Sequence, residues 1–231
     1  MKHKILILLL CCLNGFTAFS IEEKPKLIIM ITVDQMRHDY IAKYWDRYTE
    51  DGFKRLVNKG FSFDNANFSY VPTMTAVGHA TIGTGTTPVH HGIAANNWYD
   101  RITKKEVYCV SDSTVTSVGV IGGDGLHSPR NLKSNTFTDQ LKLSSPKSKV
   151  FGISLKDRGA ILPVGFSADA AFWYSNKKGH FISSSYYMEE LPNWVNSTNA
   201  KKRVEAFLQT PWSTLYPIET YTASSQDQAD F

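Results

Sequence analysis

The amino-acid sequence predicts an α/β protein, for two reasons. Candidate strands alternate along the chain with candidate helices, which is the order of elements in α/β folds. The run KLIIMIT at 26–32 is continuously apolar and rich in isoleucine, as expected of a strand buried on both faces of a parallel sheet. With 231 residues, 42% of them hydrophobic and 20% charged, the chain is long and apolar enough to form a substantial core.

The individual elements follow from local patterns. Apolar runs and loose alternation predict strands at 26–32, 61–70 and 149–154, a hairpin over 101–117, and further short elements at 168–174 and 179–187. Helical periodicity predicts helices at 39–48, 52–58, 75–82 and 136–143, with one or two more within 189–207. Lys59-Gly60 is expected to end the second helix. The glycine-rich segment at 119–125 follows no clear strand–helix boundary and is predicted to be a loop.

The first twenty residues read as a secretory signal peptide. A basic start at 2–4 precedes a short apolar run at 5–13, and Ala18-Phe19-Ser20 has the small-x-small pattern of a cleavage site. A membrane anchor is the alternative, but the run is much shorter than the roughly 18–20 residues that span a bilayer. A lipoprotein signal fits less well because Leu10 precedes Cys11, where a small residue would be expected. We therefore expect cleavage after Ser20 and a periplasmic or secreted protein.

Charge and cysteine content narrow the function classes. The formal charge is +4, and removal of Lys2 and Lys4 would lower it to +2. This is too small for a protein that binds nucleic-acid polymers through a concentrated basic face. Cleavage would leave Cys109 as the only cysteine, so that no internal disulfide and no cysteine-based metal site is expected.

The segment at 71–100 is the strongest candidate for a functional site. It is dense in Thr, Gly, His and Asn and poor in large aliphatic residues, which is typical of loops that support a site. Thr75 falls where a turn after Pro72 gives way to a helix. A hydroxyl there would face backbone N–H groups and the positive end of the helix dipole, an environment that suits a phosphoryl group. The alternative is a simple N-cap, which is the commoner role of threonine at such positions.

Two further sets of polar residues follow predicted strands. Asp34 comes directly after the first strand and would lie at the sheet edge where α/β proteins bind ligands. Alternatively, it caps a turn. Lys156 and Arg158 follow the strand KVFGIS, and their two cations could converge on one anion. The alternative is a solvated basic turn paired internally with Asp157.

Together these motifs resemble the alkaline phosphatase superfamily. The resemblance rests on VDQMR at 33–37, PTMTAVGH at 72–79, NNWYD at 96–100 and KDR at 156–158, and it covers essentially all of 26–231. It is greatest for the flavobacterial, phosphate-irrepressible type, which is related to nucleotide pyrophosphatase/phosphodiesterases. It implies a sheet sandwiched by helices, truncated at the C-terminus, with 21–231 as the N-terminal part of the domain.

The resemblance also implies residue roles. Thr75 would be the nucleophile that forms a phosphothreonine, and Asp34 and Thr75 would bind two zinc ions. Asn96, Lys156 and Arg158 would bind the phosphoryl oxygens. A phosphate monoester presents more charge than a diester, so the Lys-Arg pair favours hydrolysis of small-molecule monoesters.

The sequence departs from the family in its metal ligands. The family's remaining zinc ligands come from an Asp-x-x-x-His motif, an Asp-His pair and a distal histidine, which have no counterparts here. The histidines His79, His90 and His91 are interpreted as structural or loop residues. We therefore expect an inactive or incomplete fragment of an exported phosphatase. A nucleotide pyrophosphatase/phosphodiesterase and a non-catalytic phosphate-binding remnant are the alternatives, no stable membrane anchor is expected, and the sequence leaves the oligomeric state open.

Overall fold

The computed structural model describes residues 25–221. This part of the chain divides into two units between His38 and Asp39. In the first unit, the described residues 25–38 have extended and turn backbone without regular secondary structure. The second unit, from Asp39 onward, contains the helices and strands.

Two predicted strands do not form in the described chain. Residues 26–32 and 61–70 have no strand assignment. Four apolar side chains of the first segment, Leu27, Ile28, Ile29 and Ile31, are 64–78% exposed. An apolar run becomes a strand only when its backbone groups pair with a neighbour, and composition alone does not supply that neighbour.

The helices lie close to where periodicity predicts them. The predicted helix at 39–48 is split into a short α-helix and a 3₁₀ turn at Trp45–Arg47, and the second helix ends before Gly60 as predicted. Within 25–221 the α-helices are α1 (Tyr40–Lys43), α2 (Phe53–Lys59), α3 (Thr75–Thr84), α4 (Pro88–His91), α5 (Phe137–Ser144), α6 (Asp157–Ile161), α7 (Asn193–Ala200) and α8 (Arg203–Leu208).

The strands of residues 25–221 form two sheets. They are β1 (Asn97–Asp100), β2 (Lys105–Tyr108), β3 (Ser117–Val118), β4 (Phe151–Ser154), β5 (Ala170–Ser175) and β6 (His180–Ser184). Strands β1 and β2 make an antiparallel hairpin, which begins slightly before the predicted one. The other four strands have the order β3-β6-β5-β4, with β4 and β5 parallel and the remaining pairs antiparallel.

Helices cover both faces of the four-stranded sheet. Ala171 and Trp173 of β5 belong to an apolar cluster that includes residues of α3 and α6. Ala170 and Phe172, which alternate with them, pack with Val195 of α7 in a second cluster. Successive side chains of a strand point to opposite faces, so these two clusters lie on opposite sides of β5. The predicted sheet between helices is confirmed.

Helix α6 packs directly on the backbone of β4. A Cβ atom at Gly152 of β4 would overlap the backbone oxygen of Ala160 in α6. A Cβ at Gly159 would lie 2.6 Å from Ser154 Oγ and 3.6 Å from Nε2 of His79 in α3. The absence of side chains at Gly152 and Gly159 therefore allows β4, α6 and α3 to approach one another closely.

No helix within the described residues is both long and apolar enough to cross a membrane. The predicted signal peptide, residues 1–20, lies outside the described residues and stays a prediction.

The close packing at Gly152 yields a first prediction. Gly152→Ala should lower the free energy of unfolding by about 3 kcal/mol, because the new methyl group meets backbone that cannot move without shifting α6. Gly78→Ala is the matched control. That position in α3 has open space around it, and alanine should stabilise the helix by about 0.5–1 kcal/mol. Urea unfolding of the purified chain measures both changes, and equal effects would contradict the packing described.

Candidate active site

Thr75 opens helix α3. Met74 occupies the N-cap position, and no side-chain hydrogen bond caps the helix from there. The interpretation of Thr75 as a simple N-cap is therefore wrong, because Thr75 is already the first helical residue. The predicted start of the helix is confirmed, and the threonine stands at the end where backbone N–H groups have no partners within the helix.

Asn96 supplies the missing cap from a distant part of the chain. Its Oδ1 accepts a hydrogen bond of 2.9 Å from the backbone N–H of Ala76, the second residue of α3. Because an amide carries one acceptor oxygen and one donor nitrogen, this bond directs the Nδ2 hydrogens elsewhere. The backbone oxygen of Asn96 accepts from the N–H of Cys109 at 2.9 Å, which anchors the residue to the end of β2.

His79 of α3 and His91 of α4 form hydrogen bonds within the protein, which agrees with their interpretation as structural residues. The ring Nδ1 of His79 donates to the backbone oxygen of Thr75 at 2.7 Å, since a carbonyl can only accept. His91 is fully buried, accepts from the N–H of Ile93 at Nδ1 and contacts Thr81 Oγ1 through Nε2 at 3.0 Å. Burial lowers the pKa of His91, so this ring is neutral at physiological pH. His90 is exposed.

Lys156 and Arg158 follow β4, where the sequence places them. Lys156 is exposed and precedes α6, while Arg158 is half-buried within that helix. The Nη1 of Arg158 donates to the hydroxyl of Tyr108 at 3.0 Å. The Nε of Arg158 is buried and has no hydrogen-bond partner among the described residues.

The alternative interpretation of residues 156–158, a solvated basic turn in which Asp157 pairs with its neighbours, is wrong for Asp157. Its side chain is only 16% exposed. Oδ1 accepts from the Tyr108 hydroxyl at 2.5 Å and from the Arg158 backbone N–H at 2.6 Å, and Oδ2 lies 3.1 Å from Nε2 of His127. Burial alone would raise the pKa of Asp157, but the hydrogen bonds and the neighbouring His127 lower it overall. The carboxyl group is therefore ionised at neutral pH.

Two routes of contact join the start of α3 to Arg158. In the first, Asn96 bonds to Ala76 at the helix start and to Cys109, and the neighbouring Tyr108 bonds to Arg158. The second is the close packing of His79 against the glycine that follows Arg158. The structure thus brings the surroundings of Thr75, Asn96 and Arg158 together.

The cysteine beside Tyr108 is not a competing nucleophile. Cys109 is buried and free of disulfide bonds. Burial, assisted by the charge of Asp157, raises the pKa of its thiol to about 12. The reactive thiolate is therefore not populated at neutral pH.

Asp34 belongs to the first unit. It lies in an exposed turn, where its Oδ1 accepts from the backbone N–H of Gln35 at 2.9 Å. The prediction that it stands at the end of a strand is wrong, because 26–32 form no strand. Within residues 25–221, no three His, Cys, Asp or Glu side chains come together as a possible metal site.

The model of the family described as type I phosphodiesterase/nucleotide pyrophosphatase matches residues 28–228. The chain belongs to this family.

Relatives in the family include alkaline phosphatases. The chain is 50% identical over 210 residues to alkaline phosphatase PafA of Elizabethkingia meningoseptica, covering 90% of this chain and 38% of that protein. It is 48% identical over 205 residues to alkaline phosphatase PhoV of Synechococcus elongatus, covering 88% and 37%. A Myroides odoratus protein named calcium-transporting ATPase is 49% identical over 221 residues, covering 94% and 40%.

Solved structures of PafA share the fold. The crystal structure of the wild-type enzyme aligns with a TM-score of 0.83 and 51% identity, covering 85% of this chain and 38% of that one. A second PafA structure aligns equally well and carries four substitutions, which replace a threonine by serine and an asparagine, a lysine and an arginine by alanine. The alkaline-phosphatase fold predicted from the motifs is confirmed, and the chain spans about 40% of the length of the relatives it matches.

Sequence reasoning missed three residues that hold the surroundings of Arg158, namely Tyr108, His127 and Asp157. Tyr108 and His127 are 49 and 30 positions from Asp157, and neither stands in a motif. Asp157 stands inside KDR, but the local sequence suggests pairing with its basic neighbours. The only local signal for Tyr108 is its position at the end of a hairpin strand. Many surface residues occupy similar positions.

The hydrogen bond by which the Asn96 side chain caps α3 yields a second prediction. Asn96→Ala should lower the free energy of unfolding by about 1 kcal/mol, because α3 loses its cap. Asn96→Asp should cause no loss, since a carboxylate oxygen still accepts from Ala76 and a negative charge favours a helix N-terminus. Asn97→Ala, on an exposed neighbour, is the control. Urea unfolding compares the three variants, and equal losses in the alanine and aspartate variants would show that Asn96 does not cap α3.

Proposed function

We propose that this chain carries the phosphate-binding part of a phosphate monoester hydrolase, with Thr75 as the nucleophile. The hydrogen bond between Asn96 and Ala76 is the observation that carries the proposal. Because Oδ1 is occupied by the helix cap, the amide nitrogen of Asn96 remains as a donor beside the helix end that Thr75 opens. A donor, a hydroxyl and a helix N-terminus side by side form a site suited to a phosphoryl group.

In the proposed reaction the phosphoryl group passes through Thr75. Its Oγ loses its proton to water and forms a bond to phosphorus while the bond from phosphorus to the ester oxygen breaks. The ester oxygen keeps that electron pair, takes up a proton from water and leaves as the alcohol. Water then hydrolyses the phosphothreonine, releasing phosphate and restoring the hydroxyl. Asn96, Lys156 and Arg158 complement the negative charge on the phosphoryl oxygens.

The substituted PafA structure supports these assignments. Its replaced threonine and asparagine are 21 positions apart, and its replaced lysine and arginine are two apart. Thr75 and Asn96 have the first separation in this chain, and Lys156 and Arg158 have the second. The residue types and their order along the chain also agree.

The proposal extends to zinc and to export on different grounds. Asp34 and Thr75 are the two zinc ligands that this chain would contribute by family resemblance. The described residues, which contain no group of three ligands, do not fit a zinc ion by themselves. We therefore expect the purified chain to bind phosphate esters without turning them over. The signal pattern at 1–20 supports export to the periplasm or medium.

A nucleotide phosphodiesterase is the second candidate, favoured by the description of the matching family. The two candidates differ in the charge of the substrate. A monoester carries an additional ionisable oxygen, and Lys156 and Arg158 provide two cations for it. A diester replaces that oxygen with an organic group, so the second cation has no charged oxygen to bind in a diester. The pair favours the monoester, and the small formal charge of the chain favours a small molecule over a nucleic-acid polymer.

Calorimetry with phenyl phosphate and diphenyl phosphate gives a third prediction. The purified chain should bind the monoester more tightly than the diester. Arg158→Ala should weaken monoester binding about tenfold to hundredfold, the loss typical of a charged hydrogen bond. Lys156→Ala should reduce the ratio of monoester affinity to diester affinity. Added zinc should produce no turnover of p-nitrophenyl phosphate.

Arg55→Ala is the matched control, because this exposed arginine lies on α2 and pairs only loosely with Asp51 at 3.9 Å. Monoester affinity should be the same in that variant as in the unaltered chain. Absence of monoester binding, or equal effects of the two arginine substitutions, would refute the proposal. Tighter binding of the diester would favour the phosphodiesterase instead.

A further inference from the structure

The hydroxyl of Tyr108 lies between the arginine of the proposed phosphate site and a buried carboxylate. It accepts a hydrogen bond from Nη1 of Arg158 at 3.0 Å and donates one to Oδ1 of Asp157 at 2.5 Å. Asp157 is held in turn by His127, whose Nε2 is 3.1 Å from Oδ2. The ring of His127 also packs edge-on against the Tyr108 ring, with centroids 5.5 Å apart. Tyr108 is thus fixed through both its ring and its hydroxyl.

The direction of these bonds follows from proton counting. A phenol has one proton, and the arginine cannot accept it, so Tyr108 donates to the ionised Asp157 and accepts from Arg158. Burial and the negative charge of Asp157 raise the pKa of Tyr108 well above its ordinary value. The phenol therefore stays neutral, and the polarity of the arrangement does not change at physiological pH.

A neutral spacer between arginine and carboxylate has a consequence for anion binding. A direct bidentate pair with Asp157 would occupy two donors of the Arg158 fork and offset its charge locally. The bond to Tyr108 fixes Nη1 with one neutral oxygen instead. The buried Nε of Arg158 keeps its hydrogen, with no acceptor among the described residues. The guanidinium is held in place while part of its fork stays available to an anion.

We propose that Tyr108 is a positioning residue, which holds the Arg158 guanidinium for a phosphoryl group and keeps it from pairing directly with Asp157. This rests on the proposed function, because it assigns phosphate binding to Arg158. In this role Tyr108 acts through Arg158 and not through a contact of its own with the substrate. It acts by removing conformational freedom that the arginine would otherwise lose on binding.

Tyr108→Phe tests this role with a single-atom change. The ring and its packing on His127 remain, and only the hydroxyl is lost. Calorimetry with inorganic phosphate should show affinity about tenfold weaker than that of the unaltered chain. Tyr174→Phe is the matched control, since it removes a buried hydroxyl that has no hydrogen-bond partner in the described part of the chain. Its phosphate affinity should not change.

A double-mutant cycle distinguishes positioning from a general structural effect. If Tyr108 acts through Arg158, Tyr108→Phe should weaken phosphate binding in the unaltered chain and have no further effect in the Arg158→Ala background. Equal weakening in both backgrounds, or none in either, would overturn the inference while leaving the proposed function intact. An Arg158→Ala variant that binds phosphate normally would overturn the proposed function itself.

Nuclear magnetic resonance supplies a measurement that needs no ligand. The Arg158 Nε–H signal should exchange with solvent more rapidly in Tyr108→Phe than in the unaltered chain or in Tyr174→Phe. Unchanged exchange would show that Tyr108 does not hold the guanidinium, whatever the phosphate affinities. Thermal unfolding of each variant identifies any loss of fold. If Tyr108→Phe unfolds, solvent exchange of the Arg158 Nε–H signal in Asp157→Asn tests the same hydrogen bonds.

Discussion

The close contact of α6 with β4 is the constraint on which the candidate site depends. Because Gly152 has no side chain, α6 packs directly on the backbone of β4. This packing fixes the position of Asp157 and Arg158, which lie at the start of α6. Gly159, which follows Arg158, likewise allows His79 of α3 to pack closely against α6. These contacts join α3, the helix that Thr75 opens, to the segment that carries Arg158. A larger side chain at Gly152 or Gly159 would disturb these contacts.

Local patterns predicted those parts of the structure that local chemistry determines. The start of α3 at Thr75, the strand before Lys156 and the sheet between helices all follow from periodicity or from family motifs. The failures share a cause. The apolar run at 26–32 matches a buried strand in composition, but a strand requires a hydrogen-bonded neighbour. Its side chains are instead exposed, and Asp34 stands in a turn.

The polar network shows the same limit on a smaller scale. The KDR segment suggested an aspartate neutralised by its basic neighbours, whereas Asp157 turns to Tyr108 and His127 from other parts of the chain. Such long-range partners leave no periodic trace in a sequence. In the structure, this arrangement gives the carboxylate three donors without a direct pair to the arginine side chain. The Nε of Arg158 consequently has no acceptor within residues 25–221, and the guanidinium is not paired with the carboxylate.

The most direct test of this site is a crystal structure of the chain with tungstate, a heavy-atom analogue of phosphate. If Asn96 and Arg158 bind one phosphoryl group beside Thr75, tungstate oxygens should lie about 3 Å from Asn96 Nδ2 and from the Arg158 guanidinium. The Tyr108 hydroxyl should still bridge Arg158 and Asp157. Tungstate bound elsewhere, or an Arg158 side chain paired directly with Asp157, would contradict the proposed site.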